Sequence, residues 1–252
     1  MPKSLKIYIF LLVLIFIGII WADATKERPI DWRESYSLNE KIPFGLYVFN
    51  QEHKAIFKPQ TVEKFSESPY EFLDKNYNTY DSIYDIEGTI LLIQNKAAID
   101  EFSENELFYF ASHRNAIFYS NSNFSQKFAD SLGFEIEYSN DFADSLQFKI
   151  NQNQKAGNFY FNKGINTAYF SKIDSSKTEV LGTQINSKGE EFANFIKVKH
   201  LNGNFYLHLQ PVAFTNYYLL NKTSQYTEDI LGYIPSKSPI YWKVKQYDNE
   251  EL

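Results

Sequence analysis

Histidine is the residue type in this 252-residue sequence best suited to acid–base or metal chemistry, and four are present: His53, His113, His200 and His208. No two of them share the close spacing of a metal-binding pair on one element, which argues against a zinc site. The sequence has no cysteine, which excludes disulfides, thiolate metal ligands and a cysteine nucleophile. It also lacks a G-x-S-x-G elbow and glycine-rich phosphate-binding loops. We therefore expect no metal and no cofactor.

His208 is the histidine with the most favourable position for a site. It lies near the end of a predicted strand, just before Gln210-Pro211, and an α/β sheet usually carries its site at such strand ends. Gln210, Thr215 and Asn216 add donors and acceptors at the same loop, so these four polar residues form the candidate ligand-binding or partner-binding site. The alternative is structural: His208 is hydrogen-bonded inside the sheet, and Thr215 or Asn216 caps the following helix.

The stretch from Asn194 to Leu220 contains the elements that would position this site. In residues 196–199 and 205–209 every second residue is apolar, which is the period of half-buried strands. Asn202-Gly203 lies between the two runs and tolerates the positive φ angles of a tight turn, which predicts a β-hairpin. A short helix is expected to follow the loop after the second strand.

The same period assigns faces to the second hairpin strand. Leu207 belongs to the buried face, and His208 projects from the opposite one. We therefore expect that Leu207→Asp unfolds the domain, because the charge would be buried without a partner, whereas His208→Ala leaves it folded.

An apolar run near the N-terminus predicts a membrane helix. Residues Ile7 to Trp21 are unbroken in their apolar character and follow two lysines, which is the order of an export signal. Residues 22–24 have the small-x-small form of a cleavage site, and the run is short for a span, so a cleaved signal is the alternative to a retained anchor. The numbers of basic residues before and after the apolar run are nearly equal, so the positive-inside rule does not decide its orientation. The signal-like order favours a single-pass anchor in the cytoplasmic membrane with the rest of the chain outside the cytoplasm.

Composition narrows the classes of function. The formal net charge of −6 leaves no basic field to hold nucleic acid. Aromatic residues make up 18% of the sequence, with 23 Phe and 19 Tyr, so the chain has ample apolar surface for a packed core and disorder is not expected.

Predicted strands and helices alternate in residues 43–145. In order, they are a helix over Pro43–Phe57, a strand over Thr61–Phe65, an inward-packed turn carrying Tyr70 and Phe72, a strand over Gly88–Gln94, a helix with a capping box at Ser103, a strand over Ala116–Ser120, a helix capped by Ser122 and closed by Gly133, and a strand over Phe134–Tyr138. This alternation is the pattern of a parallel layer with right-handed crossovers. It predicts an α/β protein.

Residues 146–252 instead show short strands separated by polar turns, which predicts an antiparallel meander. The expected elements are strands over Leu146–Ile150, Asn158–Asn162, Thr167–Ile173 and Glu179–Gln184, then the hairpin, a helix over Tyr226–Tyr233 and an edge strand over Ile240–Val244. Spacing leaves open whether the meander extends the parallel sheet or stands on it as a lobe.

Three segments resemble one bacterial family. They are IDWRESYSLNEKIPFGLYVF from Ile30, ESPYEFL at residues 67–73 and FYLHLQPVAFTNYYLL from Phe205. They are similar to the family called domain of unknown function 4350, over about Ile30 to Trp242. Members are membrane-anchored, many continue into a second membrane segment, and no activity is established for them. The resemblance implies a flavodoxin-like, class I glutamine amidotransferase-like three-layer sandwich, here with the added meander, although such amidotransferases work through a cysteine that this sequence lacks.

These observations predict three parts: a membrane anchor or signal over residues 1–24, a stalk over 25–42 that docks through Trp32, and a single α/β domain over 43–252. We expect a membrane-tethered, non-catalytic binding or assembly module of the bacterial envelope. The resemblance implies partners among envelope proteins, including systems with MoxR-type ATPases, because genes of the family often lie near them.

The alternative is an exported hydrolase that acts on envelope glycans through carboxylates near His208. Neighbouring acids such as Asp141 and Asp144, or Glu190 and Glu191, are candidates by residue type, although we interpret them as solvated surface. A glycosidase needs two acids at a fixed separation across a cleft, which a sequence does not reveal.

Overall fold

The computed structural model describes residues 2–26, 29–95, 99–139, 145–151, 157–221 and 223–245. The chain divides into two units, Met1–Asp31 and Trp32–Leu252. The first unit contains helix α1 (Lys3–Ala24), none of whose residues is buried. Its mean hydropathy reaches 2.6, and among the described residues it is the one helix long and apolar enough to cross a membrane, a property that signal sequences share.

The second unit contains the helices and strands of an α/β domain. Its helices are α2 (Tyr47–Ile56), α3 (Pro69–Lys75), α4 (Glu101–Ser112), α5 (Gln126–Leu132), a 3-10 helix (Pro211–Phe214), α6 (Asn216–Leu219) and α7 (Ser224–Leu231). Its strands are β1 (Val62–Phe65), β2 (Tyr77–Asn78), β3 (Ile83–Tyr84), β4 (Thr89–Ile93), β5 (Ala116–Ser120), β6 (Phe134–Tyr138), β7 (Leu146–Ile150), β8 (Asn158–Phe161), β9 (Ala168–Ile173), β10 (Thr178–Ile185), β11 (Glu191–His200), β12 (Gly203–His208) and β13 (Ile240–Lys243).

One mixed sheet organises the domain. Its strand order is β1-β13-β4-β5-β12-β11-β10-β7-β8, with β9 beside β11 and β6 paired to β9. The pairs from β1 to β12 are parallel, and the pairs from β12 to β8 are antiparallel. The meander therefore extends the parallel sheet instead of standing on it, which answers the question that spacing left open.

Packed side chains cover both faces of the sheet. On one face Phe49 of α2 lies against Trp242 of β13, with ring centroids 5.0 Å apart, in a cluster that also contains residues of α7 and the 3-10 helix. On the other face Leu207 of β12 belongs to the same buried cluster as Phe128 of α5 and residues of α4. Because both faces are apolar, the central strands need no polar alternation.

Two strand placements differ from the prediction. β13 was expected at an edge, yet it lies between β1 and β4, and its residues Ile240, Tyr241 and Trp242 are all buried. β6 was expected to continue the parallel layer after β5, yet it pairs with β9 in the antiparallel direction. The position next to β5 is occupied by β12, which arrives from much later in the chain.

The N-terminal part of the domain differs from its prediction because long-range hydrogen bonds decide its shape. The helix expected from Pro43 begins only at Tyr47. The carbonyls of Pro43 and Gly45 accept hydrogen bonds from the backbone of residues 217 and 216, at 2.8 and 2.9 Å, and are therefore not used by a helix. Residues 36–38, within the segment predicted as a stalk, are buried, and the compact unit begins at Trp32.

Two predicted helix caps are displaced by three residues. α4 is capped by Asp100, whose carboxylate accepts from the backbone of Ser103 at 2.9 Å, so Ser103 lies inside the first turn. α5 is capped by Ser125 and not by Ser122. In each case several cap-forming residues follow one another, and local pattern does not rank them. Gly133 ends α5 in the left-handed region, as predicted.

The segment around Tyr70 also differs. It forms helix α3, which begins with a capping box between Ser68 and Glu71, whereas a turn was expected. Phe72 is buried as predicted, but Tyr70 is 40% exposed because residues two positions apart lie on opposite sides of a helix.

The turn of the hairpin is displaced by one residue from Asn202-Gly203. Leu201 has the positive φ of 49°, and Gly203 is already paired within β12. Glycine is required at 203 for a different reason. A Cβ there would lie 2.0 Å from the carbonyl oxygen of Ala111 and 2.3 Å from that of Asn115.

Candidate functional site

The carboxyl ends of the parallel strands bring the first candidate residue beside a serine. The register of the sheet aligns His208 of β12 with Ser120 of β5, and Ser120 with Ile93 of β4. His208 and Ser120 are both 0% exposed. The strand end at which an α/β sheet usually binds ligands is therefore closed by protein at this point.

His208 belongs to a chain of buried hydrogen bonds. Its Nδ1 lies 2.9 Å from the Ser120 Oγ, and its Nε2 lies 3.1 Å from the Tyr226 hydroxyl. Asn194 donates from its Nδ2 to the same hydroxyl at 3.2 Å, and its Oδ1 has no hydrogen-bond partner among the described residues. The four residues come from β5, β11, β12 and α7, so the bonds tie a helix to three strands.

The chain of bonds is electrically neutral. Burial lowers the pKa of His208 to about 3, because charging an imidazole away from water is unfavourable. Burial raises the pKa of the Tyr226 hydroxyl well above its usual value, and the bond from Asn194 opposes that shift. No carboxylate of the described residues hydrogen-bonds to His208, so the Ser120–His208 pair lacks the acid that activates a nucleophilic serine.

Gln210 fastens a neighbouring loop to the end of β12. Its Nε2 donates to the carbonyl of Asn166 at 2.6 Å, and its Oε1 accepts from the Asn166 backbone at 3.3 Å. Asn166 in turn donates from its Nδ2 to the carbonyl of Leu209 at 2.6 Å. Gln210 is 0% exposed, so both ends of its amide are used within the protein.

Thr215 and Asn216 do not cap α6 with their side chains, although Thr215 occupies the cap position. The Thr215 hydroxyl donates to the carbonyl of Val212 at 2.7 Å. Asn216 instead caps α2, since its Oδ1 accepts from the backbone of Val48 at 2.8 Å in the first turn of that helix. Its Nδ2 donates to the carbonyls of residues 40 and 42 at 2.8 and 2.7 Å.

The structure thus gives the four candidate residues separate hydrogen-bond partners. His208 bonds to Ser120 and Tyr226, and Gln210 bonds to the Asn166 loop. Thr215 bonds to the carbonyl of Val212, and Asn216 bonds to the segment before α2 and to the first turn of that helix. Five cavities formed by the described residues are lined by other residues. Binding of a ligand by these four side chains stays a prediction, and it would require the groups that now cover them to move.

Sequence reasoning did not identify Ser120, Asn194, Tyr226 or Asn166 as partners of the candidate site. Their bonds join residues 18 to 88 positions apart in the chain, which no local pattern reports. One signal was available: the apolar run of β5 ends in Ser120, Asn121 and Ser122, a polar cluster at the carboxyl end of a predicted parallel strand. All three are buried.

The remaining histidines and acids do not form a second centre. Burial lowers the pKa of His53 and of His200, and the described residues contain no group of three or more histidine, aspartate or glutamate side chains placed to hold a metal ion. Glu190 accepts from the Asn186 amide at 2.6 Å, and Glu191 pairs with a surface lysine. Asp141 and Asp144 lie outside the described residues.

A groove of about 620 Å³ lies between α2 and α7. Its walls are one face of each helix, Val48, Glu52, Ala55 and Ile56 on α2 and Ser224, Thr227, Glu228 and Leu231 on α7. Its volume is within the range of about 300 to 1,000 Å³ that is usual for ligand pockets.

The fold and these sites define the protein as an α/β domain with a mixed sheet and neutral, buried strand ends, in a chain that begins with an apolar helix. No protein-family model matches the sequence, and none of the curated proteins matches it significantly. Family membership is therefore not assigned.

Solved structures with local similarity include three proteins whose names describe an action on carbohydrates. They are the exo-β-1,4-mannosidase Op5Man5 from Opitutaceae bacterium strain TAV5 (12% identity, TM-score 0.42, 59% of this chain and 25% of that one), the GH42 β-galactosidase Gan42B from G. stearothermophilus (10%, 0.37, 64% and 24%), and the carbohydrate deacetylase Agd3 (9%, 0.33, 58% and 32%). The chain spans a third or less of each of these proteins. At these TM-scores the similarities assign neither a fold family nor an activity.

Proposed function

We propose that the protein is a membrane-tethered, non-catalytic binding or assembly module of the bacterial envelope. In this proposal α1 is a retained single-pass anchor in the cytoplasmic membrane, and the domain lies on the periplasmic or outer side with a flavodoxin-like, amidotransferase-like fold. Its partners are other envelope proteins, with MoxR-type ATPase systems as the candidates that the family resemblance implies.

The observation that carries this proposal is the closed end of β5 and β12. Catalytic α/β domains keep reactive groups accessible in the crevice beyond the carboxyl ends of their strands. Here His208, Ser120 and Tyr226 occupy that position, all are fully buried, and His208 is neutral at physiological pH. Such groups stabilise the fold and leave the outer surface of the domain to bind partners.

The alternative, an exported hydrolase of envelope glycans, requires two carboxylates facing a substrate cleft. The hydrogen-bond partners of His208 are the uncharged side chains of Ser120 and Tyr226. Neither partner is a carboxylate, so this site does not favour the hydrolase. Hydrolysis of envelope glycan by the protein is the result that would support it.

The test uses the full chain with a C-terminal affinity tag in a bacterial host, beside a control in which residues 1–31 carry an unrelated globular domain. We expect both proteins to remain in membranes after alkaline washing and to be digested by protease added to spheroplasts. After cross-linking, we expect only the full chain to retain specific envelope proteins. Identical retention by the control, or hydrolysis of purified envelope glycan by the full chain, would contradict the proposal.

A further inference from the structure

We propose that the groove between α2 and α7 binds an amphipathic helix of a partner protein, and that this helix carries lysine or arginine beside its apolar residues. The inference rests on the proposed function, because it names the class of partner that the binding module takes. It is independent of the four candidate residues at the strand ends, none of which lines the groove.

The shape of the groove matches a helix. Its wall residues on α2, from Val48 to Ile56, repeat at intervals of about one turn, and those on α7, from Ser224 to Leu231, do the same. The ten residues of α2 are about 15 Å long, the length of about three turns of a partner helix. A groove lined by faces of two helices, with apolar side chains between its charged groups, is a usual receptor for an amphipathic helix with anchors at i, i+3, i+4 and i+7.

The floor of the groove supplies the apolar part of the interaction. Ile56 and Leu219 are only half-buried, and Ala55 is exposed, although all three are apolar and face the same cavity. Leu231 and Phe57 lie deeper and are buried. A partner helix that covers these side chains removes apolar surface from water, which favours binding.

The charges of the groove specify the sign of the partner. Glu52 lies in the middle of the α2 wall and Glu228 in the middle of the α7 wall, and both are exposed. Neither forms an ion pair with the part of the chain that the structure describes, and Lys58 is the cationic lining residue. These two carboxylates give the groove a negative character on both helices, and a cation of a partner that lies in the groove is attracted by them.

The same charges argue against a second copy of this chain as the occupant. A symmetric contact would bring the groove of one molecule against the groove of another. Glu52 and Glu228 would then face carboxylates of the same kind, and such like-charge contacts are unfavourable. A helix that carries lysine or arginine binds the groove without such contacts between like charges.

The test measures binding of a defined peptide to the full chain in nanodiscs of phosphatidylcholine. Because the sequence has no cysteine, Ala55→Cys places a single environment-sensitive dye in the groove, and Ser175→Cys places it on an exposed turn elsewhere. The probe is a helix of leucine and lysine with one apolar face. We expect a saturable blue shift of the dye at position 55 and no change at position 175.

Two peptide controls define the chemistry. A peptide of the same composition in scrambled order lacks the apolar face, and one with glutamate in place of lysine keeps the face but reverses the charge. Neither should shift the dye. Equal binding of the lysine and glutamate peptides would overturn the inference, as would a shift that grows with protein concentration in the absence of peptide, since a second copy would then cover the groove.

Charge exchange gives the sharpest outcome. We expect the double variant Glu52→Lys, Glu228→Lys to bind the lysine peptide at least about tenfold more weakly than the wild type does. The same variant should bind the glutamate peptide, which the wild type does not. Glu87→Lys, at an exposed glutamate outside the groove, should change neither. If no peptide binds while the full chain retains its envelope partners, the groove inference fails and the proposed function stands. If those partners are also absent, both fail.

Discussion

Neutral, buried His208 makes the stability of the domain depend on pH. The pKa of this histidine is about 3 in the folded protein, against a usual value of 6.5. Between these values the unfolded chain binds a proton that the folded chain excludes. Stability from this residue is therefore complete above about pH 7 and falls by about 1.4 kcal/mol for each pH unit inside the window.

We expect His208→Gln to remove this dependence. Urea unfolding of the wild type and the variant at pH 7.5, 5.5 and 4.5 measures it, because the other buried histidines are common to both proteins and cancel in the difference. The variant should be less stable at pH 7.5, and the gap should narrow as the pH falls. Two curves that stay parallel would show that His208 is not buried in its neutral form.

The position of His208 also revises the expected effect of its removal. Both Leu207 and His208 are 0% exposed, since β12 is covered on both faces. We still expect Leu207→Asp to unfold the domain. His208→Ala, expected from the sequence to be tolerated, now leaves Ser120 and Tyr226 with unpaired buried groups, which costs about 2 to 4 kcal/mol.

Asn216 contributes more to stability than a helix cap alone would. Its removal takes away the partner of one backbone N–H at the start of α2 and of the Glu40 carbonyl, and one of two donors to the Ile42 carbonyl, which keeps its bond from the Gly45 backbone. We expect Asn216→Ala to cost about 3 kcal/mol and Thr215→Ala, which loses one bond, about 1 kcal/mol. Denaturant unfolding measures both. Loss of envelope partners by either variant while it is still folded would instead favour the ligand-site interpretation.

At the scale of elements, the hairpin shows two different reasons for glycine at neighbouring positions: close backbone contact at 203 and a positive φ angle at 201. Gly203 is required because the backbone of residues 111 and 115 approaches it, and Leu201 is strained by its positive φ. We expect Gly203→Ala to cost more than about 3 kcal/mol through this clash. We expect Leu201→Gly to stabilise the domain by about 0.5 to 1 kcal/mol. Thermal melts measure both variants. If Leu201→Gly destabilises the domain and Gly203→Ala does not, the turn is centred on Asn202-Gly203, as the sequence predicts.

The strands were more predictable than the helix starts. The nine strands predicted outside the hairpin agree with the structure within one residue at each end, because continuous or alternating apolar runs directly reflect burial. Helix starts failed where several cap residues compete, as at Asp100 and Ser103, or where distant backbone takes the first carbonyls, as at Pro43. Both outcomes depend on energies that a local pattern does not contain.

Pairing of elements was less predictable than their existence. The α/β class follows from the sequence, but the insertion of β13 between β1 and β4 and the antiparallel pairing of β6 do not. The same limit applies to the site. His208 and Gln210 could be singled out by residue type, whereas their partners Ser120, Tyr226 and Asn166 depend on contacts between distant parts of the chain.

At the scale of the whole domain, β13 joins the first strand to the rest of the sheet. Trp242 is 1% exposed and packs against Phe49 and His53, whereas Trp32 is 39% exposed. We expect Trp242→Ala to cost about 3 to 5 kcal/mol and Trp32→Ala much less. Urea unfolding followed by circular dichroism tests the comparison. Similar losses would mean that Trp32 and its aromatic neighbours contribute as much as the centre of the sheet.

The place of β13 has a consequence for biosynthesis. Until residues 240–243 have left the ribosome, β1 has no neighbour in the main sheet and β4 presents an open edge, a template for aggregation. We therefore expect that the first half of the domain does not fold as an autonomous unit, and that this part of a nascent chain stays accessible to chaperones and proteases until β13 is available. Chains arrested before residue 240 should be cleaved by protease within residues 62–95, whereas released full-length chains should resist.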